Sequence, residues 1–171
     1  MIWRWFGEQM PFAIAFLIGM TLAAILCPRA CAGTWVVATV GSYHFDRTNE
    51  HNERNLGIGI EQDIARDTRF VAGRVKNSEW HYSNYLGAAF DPIRITEHLR
   101  FGAMVGVING YSNEVRWTAD KGSNDSHDAY FPIIVPRASY EISSVGGNLL
   151  YMPRSQNRGV LVLQLKFMFQ E

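Results

Sequence analysis

Cysteine is nearly missing from this 171-residue sequence, and its position decides what it can do. Both cysteines, Cys27 and Cys31, lie within the first 32 residues. If that segment is removed, the remaining chain contains no thiol, and no disulfide can stabilise it even in an oxidising compartment. A small exported domain must then be stabilised in another way, and closure of a β-barrel is one such way.

Long apolar runs are missing too, with one exception at the N-terminus. Arg4 precedes the apolar segment Pro11–Leu26, and the small residues Ala-Cys-Ala follow it at positions 30–32. This arrangement predicts a secretory signal peptide over residues 1–32, cleaved after residue 32. A single mature domain over residues 33–171 remains.

Two alternatives to cleavage are open. The apolar segment can serve as an uncleaved anchor, but it is shorter than the ~20 residues that a spanning helix needs. The chain can also be anchored as a lipoprotein through Cys27. Leu26 argues against this, because a small residue is expected before the modified cysteine.

An excess of charge of one sign is also absent, with 16 Lys and Arg against 16 Asp and Glu. The basic residues are scattered singly, so the sequence predicts no nucleic-acid partner. No Gly-rich loop leads into a helix, and the histidines at positions 51, 81, 98 and 127 lack metal-ligand spacing. We therefore predict neither a metal nor a cofactor.

Short stretches of about ten residues, separated by polar breaks rich in Gly and Asn, make up the chain after Gly33. Their length suits strands that cross the hydrocarbon layer at a tilt, and eight is the smallest number in bacterial outer-membrane barrels. The predicted fold is therefore all-β, an eight-stranded antiparallel up-and-down transmembrane β-barrel. The predicted strands are Thr34–Phe45, Leu56–Ile64, Thr68–Asn77, Tyr82–Asp91, Glu97–Gly110, Phe131–Ile142, Val145–Met152 and Gly159–Phe169.

Alternation within the strands predicts which side faces lipid. In the last strand, leucine and phenylalanine at odd positions 161–169 alternate with a set that contains Lys166, so the odd positions face lipid. In the first strand Trp35, Val37, Tyr43 and Phe45 share a face, and Trp35 and Phe45 have the spacing of two aromatic girdles. A soluble β-sandwich also alternates, but it has no need for aromatic residues at both ends of a strand.

Break lengths predict the orientation. Short breaks at 65–67, 92–96 and 143–144 alternate with mostly longer, more polar breaks at 46–55, 78–81, 111–130 and 153–158. Short periplasmic turns and long external loops are typical of outer-membrane barrels, so both termini are predicted to be periplasmic.

Three polar residues are predicted to meet at the outer rim: His44 ends the first strand, and Asn77 and Ser78 end the third. A histidine, a hydroxyl and a polar orienting group at one end of a cavity are the minimum for acyl transfer. Below them the lumen is predicted to be apolar and to suit a hydrocarbon chain. Its predicted lining on the first strand is Val36, Ala38 and Val40. On the fifth strand it is Gly102, Met104, Gly106 and Ile108, which share a parity with the charged Arg100. Small barrels also fill their interiors with side chains, so an apolar lumen can be packing alone.

Six short motifs lie in order along the mature chain. They are Tyr43-His44, Asn52-Glu53-Arg54 with Gly57 and Gly59, Lys76-Asn77-Ser78, Phe131-Pro132, Pro136-x-Ala138-Ser139 and Tyr151-x-Pro153. In this order the chain resembles a divergent member of the lipid A palmitoyltransferases (PagP) of Gram-negative outer membranes. The resemblance implies a monomeric outer-membrane acyltransferase that moves a palmitoyl-like chain from a phospholipid donor to lipid A.

The resemblance also implies roles for particular residues. His44 corresponds to the general base, Ser78 to its hydroxyl partner and Asn77 to the orienting group. Pro136 and Pro153, which cannot donate to a ladder, correspond to a lateral substrate gate. The Glu53-Arg54 pair corresponds to a loop at the same rim, as a gate or binding element.

Two departures from the family bear on activity. Asn77 stands where the family has Asp, so an amide replaces the carboxylate, and Asp46 or Glu53 is a candidate substitute. Asn55 stands where the family has proline. The rival prediction is a non-catalytic barrel whose external loops bind a partner or exclude a phage or peptide, and the polar segment Tyr111–Tyr130 favours it.

Overall fold

The structure is a computed structural model that describes residues 33–46, 51–111, 129–153 and 159–170. The signal peptide predicted over residues 1–32 lies outside the described residues and stays a prediction. Within the described ranges there is no helix long and apolar enough to cross a membrane. The strands are β1 Thr34–His44, β2 Gly57–Ala65, β3 Thr68–Lys76, β4 Tyr82–Arg94, β5 Leu99–Ile108, β6 Phe131–Ile142, β7 Val145–Met152 and β8 Val160–Gln170.

Each strand pairs antiparallel with the next, and β8 pairs with β1 to close the barrel. The predicted fold class is therefore confirmed. The bounds of β6 and β7 match the predicted ones, whereas β4 continues past the predicted end at Asp91 to Arg94. Two tight turns place Asp67 and Ser143 at φ of 58° and 53°, the left-handed region that two-residue hairpin turns use.

The barrel has two distinct ends. The connections at 66–67, 95–98 and 143–144 form the short-turn end, and the connections after β1, β3, β5 and β7 form the long-loop end. Large apolar side chains cover the outside of the wall on alternate positions, including Phe90, Phe101, Val105 and Ile134. This is the pattern of a lipid-facing surface.

Strand β8 confirms the predicted alternation. Leu163, Leu165 and Phe167 are exposed on the outer surface, whereas Lys166 is 0% exposed inside the barrel. Strand β5 agrees as well, because Met104 and Ile108 are buried while Val105 and Val107 face outward.

The prediction of which side faces lipid was wrong for the half of β1 that lies nearer the short-turn end, residues 34–39. Trp35 is 1% exposed and Val37 is equally buried, so both point into the lumen rather than to lipid. The register shifts between Thr39 and Gly41, where an irregularity of the β-bulge type inverts the alternation. Tyr43 and Phe45 beyond the shift face outward as predicted, while Val40 is exposed rather than part of the lumen lining. Val36 and Ala38 are likewise on the opposite side to the one predicted.

A network of charged side chains fills the lumen near the short-turn end. Arg137 Nη1 donates to Glu61 Oε1 at 2.9 Å, and its Nε donates to Asp91 Oδ1 at 3.0 Å. Lys166 Nζ lies 3.3 Å from Glu61 Oε2.

Glu141 extends the network, because it accepts from both Arg69 and Lys166. Removing one partner of a buried ion pair destabilises a protein by about 3–5 kcal/mol when it leaves an uncompensated buried charge. Buried, paired charges therefore fill the lumen in this half of the barrel, and we call them the charged plug.

Candidate active site at the long-loop end of the lumen

A cavity of about 370 Å³ occupies the half of the lumen nearer the long loops. Its size lies within the ~300–1,000 Å³ range typical of small-molecule sites. At its floor Gln164 Nε2 donates to Thr39 Oγ1 at 3.3 Å, just above the charged network. Its apolar lining includes Val75, Met104, Ile108, Phe131, Val135, Leu150, Met152 and Val162. The predicted apolar lumen is present, but different β1 residues face it.

His44 lies at the rim of this cavity and is 3% exposed. Its backbone N–H donates to Glu53 Oε1 at 3.2 Å, and its Nδ1 lies 3.8 Å from the same oxygen. The ring of His51 stacks on the His44 ring with centroids 4.5 Å apart and planes at 18°. The imidazole is therefore in contact with two side chains of the segment that follows β1.

Asn77 lines the same cavity, but its amide is engaged elsewhere. Nδ2 donates to Ser83 Oγ at 2.9 Å and to the Gly110 carbonyl at 2.6 Å. Oδ1 accepts from the backbone N–H groups of Glu79 and His81. These bonds use both donors and both lone pairs of the amide. Asn77 thus fixes the loop after β3, and its contacts do not support the predicted role of orienting His44.

Ser78 also lines the cavity, so the structure brings His44, Asn77 and Ser78 to one rim. The Ser78 carbonyl accepts from the backbone N–H of Asn52 at 3.0 Å. Glu53 lies beside His44, whereas Arg54 is exposed and its backbone N–H donates to Asn52 Oδ1 at 3.1 Å.

The wall between β6 and β7 is unpaired at the long-loop end. Their ladder ends at Arg137 and Leu150, although β6 begins at Phe131 and β7 continues to Met152. Pro136 lies in this unpaired part of β6 and Pro153 follows β7, and neither has an N–H to donate. We call this unpaired part of the wall the β6–β7 seam.

The cavity reaches into this seam. Ile133 and Ile134 are neighbours that point to opposite faces of β6, and both line the cavity. Ile134 is 66% exposed on the outer surface, and the outward-facing Pro132 lines the cavity too. Pro153 lies on this lining, whereas Pro136 is exposed on the outer face and is not part of it.

A second interruption lies between β1 and β2, where the ladder ends at Thr39 and Gly57. Here side chains bridge the gap. The Ser42 hydroxyl donates to Asn55 Oδ1, and Asn55 Nδ2 donates to the Lys76 carbonyl on β3 at 2.8 Å. The Ser42 N–H also donates to the Glu53 carbonyl at 2.9 Å. We call this bridged interruption the β1–β2 seam.

Several residues of the site were not identified from the sequence. Ser42 and Gln164 line the rim and the floor of the cavity, yet nothing in local alternation distinguishes them from ordinary polar positions. Asn52 belongs to one of the six motifs, but its hydrogen bond to the Asn77 carbonyl is not predicted from the sequence. Asn55 was noted only as a departure from proline. Its spacing from Asn52 is the available signal, because two asparagines in one irregular segment often bond to nearby backbone.

The short-turn end holds a second, smaller pocket of about 200 Å³ with a charged lining. Arg94 Nη2 donates to Asp67 Oδ1 at 2.5 Å, and this hydrogen bond holds the pKa of the Asp67 carboxyl below its usual value. Arg100 and Arg66 lie on the same lining. Across the described ranges, no three His, Cys, Asp or Glu side chains are grouped to hold a metal ion.

The fold defines a class, the closed eight-stranded transmembrane β-barrel. No protein-family model matches the sequence, and no curated protein matches it significantly. The chain is similar in structure to a barrel reported as "De novo design of transmembrane beta-barrels", with TM-score 0.55 and 10% identity over 82% of this chain and 98% of that one. It is also similar to the solution structure of the designed barrel TMB2.3, with TM-score 0.58 and 14% identity over 83% and 98%. Both similarities concern the fold.

The rival prediction of a binding barrel depends on the segment Tyr111–Tyr130. Residues 112–128 of that segment lie outside the described residues. The binding-barrel reading therefore stays a prediction.

Proposed function

We propose that the protein is an acyltransferase of the bacterial outer membrane that moves a fatty acyl chain from a phospholipid to lipid A. One observation carries the proposal: an apolar cavity reaches into the wall at the β6–β7 seam and has His44 and Ser78 at its rim. An acyl chain can pass from the bilayer through such a seam without crossing water. The order of motifs shared with the lipid A palmitoyltransferases supports the choice of donor and acceptor.

The cavity suits a hydrocarbon rather than a polar substrate. Its walls below the rim are mostly aliphatic and aromatic, so a polar group placed there would lose its hydrogen bonds to water without replacing them. Its polar side chains lie mainly at the rim, with Ser42, His44 and Ser78, and at the floor, with Thr39 and Gln164. This arrangement holds the acyl tail in the cavity and leaves its ester carbonyl at the rim.

The rim residues supply acid–base chemistry. His44 takes the proton of the acceptor hydroxyl as that oxygen attacks the donor ester carbonyl. The new ester C–O bond forms, the bond to the glycerol oxygen breaks, and the imidazolium returns its proton to that departing oxygen. The Ser78 hydroxyl donates a hydrogen bond to the carbonyl oxygen while it carries negative charge. The products are an acylated lipid A and a lysophospholipid.

The test is mass spectrometry of lipid A from Gram-negative cells that produce the protein. We expect one added acyl chain on lipid A and a matching lysophospholipid. Cells that produce His44→Ala at the same level of folded barrel serve as the matched control and should show neither product. Lipid A that is identical in the presence and absence of the wild-type protein would reject the proposal and favour the binding barrel.

A further inference from the structure

We infer that Glu53 is the positioning carboxylate of His44, in the place that Asn77 cannot fill. The inference rests on the proposed function, because it assigns a role within the same site. It concerns the segment between β1 and β2, which the resemblance associates with substrate access rather than with the base.

The geometry places the Glu53 carboxylate on one side of the imidazole. Its Oε1 accepts the backbone N–H of His44 at 3.2 Å, which fixes the carboxylate next to the ring it faces. The same oxygen lies 3.8 Å from His44 Nδ1. That distance exceeds the ~2.7–3.2 Å of a hydrogen bond. It is short enough for charge attraction, and bonds of this kind often tighten only when substrate is bound.

The segment that carries Glu53 is anchored at several points. The Glu53 carbonyl accepts from the Ser42 N–H, and Asn52 Nδ2 donates to the Asn77 carbonyl at 3.0 Å. Asn55 ties the same segment to the Lys76 carbonyl. The ring of His51, also in this segment, stacks on the His44 ring. These contacts hold the backbone of the segment on both sides of Glu53.

Asn77 cannot take this role in the structure. Its two N–H groups are used by Ser83 and Gly110, and its oxygen accepts two backbone N–H groups. The amide therefore has no capacity left for the imidazole. A base that becomes positively charged still needs a compensating negative charge nearby. Glu53 is the carboxylate that the structure places beside it.

A carboxylate in this position has two effects. It favours the neutral tautomer with its proton on Nδ1, which leaves the Nε2 lone pair to accept the substrate proton. It also stabilises the imidazolium that forms during the reaction. Both effects depend on the negative charge, and neither depends on the shape of the side chain.

The variant Glu53→Gln separates charge from shape, because the amide oxygen of glutamine still accepts the His44 N–H. The matched control is Asp46→Asn, which removes the carboxylate two residues after His44 in the sequence. The first measurement is ¹⁵N NMR of histidine-labelled barrel in detergent micelles at alkaline pH, with His44→Ala for assignment. We expect the His44 signals in Glu53→Gln to shift toward the Nε2-protonated tautomer and to stay unchanged in Asp46→Asn.

The second measurement is acyl transfer from phospholipid to lipid A in mixed micelles. We expect kcat of Glu53→Gln to fall about 10- to 100-fold with KM unchanged, a smaller loss than the ~10⁴-fold of a buried protease triad because Glu53 is partly exposed. The conservative variant Glu53→Asp should recover part of kcat. A residue with only a structural role would reduce the amount of folded barrel instead.

The two measurements separate two kinds of failure. If the wild type transfers no acyl chain but Glu53→Gln shifts the tautomer, the proposed function fails and the positioning role stands. If Glu53→Gln leaves both the His44 signals and kcat at wild-type values, the inference is overturned. It is equally overturned if Asp46→Asn produces the shift that Glu53→Gln does not.

Discussion

The two seams interrupt the same barrel at the same end, yet they differ in what fills the gap. At the β1–β2 seam, Ser42, Asn55 and Lys76 form a relay of side-chain and backbone hydrogen bonds across the opening. At the β6–β7 seam, the flanking residues are prolines and isoleucines, and the cavity reaches into the opening. The end of a ladder between two strands is therefore not by itself an opening in the wall. Whether the wall is open there depends on the side chains that flank the unpaired strands.

The chemistry of the two seams explains this difference. The asparagine side chain carries two N–H donors and an oxygen with two acceptor sites, so it can replace the backbone bonds that a strand has lost. Proline has no N–H, and isoleucine has no polar side-chain atom, so neither can do so. Because lipid cannot bond to unpaired backbone groups, each gap must be bridged or must open onto a cavity.

Locking the β6–β7 seam should have the largest effect. Pro136→Cys with Tyr151→Cys places thiols at the next outward-facing positions beyond the paired residues Ala138 and Leu149. The register of the paired part, extended by one residue beyond Arg137 and Leu150, sets these positions opposite each other, so a disulfide between them ties the two strands together across the seam. We expect acyl transfer to fall to background on oxidation and to recover on reduction, as measured by lysophospholipid release.

The matched control is a disulfide at the paired positions, Ala138→Cys with Leu149→Cys. That part of the wall is already closed, so oxidation should leave transfer unchanged. Transfer that persists in the oxidised Pro136→Cys/Tyr151→Cys barrel would show that lipid uses another route.

Asn77→Asp should weaken the barrel beside the β1–β2 seam. The substitution introduces the carboxylate that the resemblance to the lipid A palmitoyltransferases associates with this position. In the structure, it removes the donor to the Gly110 carbonyl and sets two oxygens 2.6 Å apart. We expect the free energy of unfolding to fall by about 1–3 kcal/mol without a gain in transfer.

Heat-dependent gel mobility and circular dichroism measure this loss of stability. Ser83→Ala, which removes only one acceptor of the same amide, is the control with the smaller expected loss. Higher activity of a stable Asn77→Asp barrel would return Asn77 to the role of orienting His44.

Asn55→Ala should remove most of the side-chain bridge across the β1–β2 seam. It removes the bonds to Ser42 and to the Lys76 carbonyl, so we expect the free energy of unfolding to fall by about 1–2 kcal/mol. Ser42→Ala breaks only the first of these bonds, and about half that loss is expected. Equal thermal midpoints for Asn55→Ala and wild type would mean that the bridge does not hold this seam closed.

Replacing both prolines of the β6–β7 seam should have the smallest effect. Pro136→Ala with Pro153→Ala supplies N–H groups, so we expect a gain in unfolding free energy of about 0.5–1.5 kcal/mol per bond formed, with slower transfer. Pro92→Ala, at the irregular pairing of β4 and β5, is the control away from both seams. A stable double variant with unchanged transfer would remove these prolines from the mechanism.

Alternation and the polar breaks were enough to predict the number of strands and most of their bounds to within two residues, because each lipid-facing strand must show the alternation locally. Strict alternation failed in the half of β1 that lies nearer the short-turn end. One irregularity near Val40 inverts the alternation there. Gly41 beside it is a residue type that often marks a bulge, but glycines elsewhere in these strands do not invert the alternation, so the sequence does not single out this position. The predicted aromatic girdle at Trp35 was wrong for that reason, although Phe45 on the far side of the irregularity faces outward as expected.

The site could be predicted only in part. His44 and Ser78 were assigned to one rim because strand ends at the same end of a barrel meet. Side-chain partners far apart in the chain could not be predicted, since they depend on the full register of the barrel. Arg137 and Glu61 meet in this way, and the engagement of Asn77 by Gly110 depends on the connection after β5.

The charged plug below the cavity has an electrical consequence. A barrel with a water-filled lumen would conduct ions. Here the carboxylates of Glu61, Asp91 and Glu141 pair with the cations of Arg69, Arg137 and Lys166, so the charges of the network balance and its side chains occupy the lumen below the cavity. We therefore expect the network to act as an insulator between the two ends of the lumen. In planar bilayers we expect the wild-type barrel to be silent, and Glu61→Ala to produce current steps.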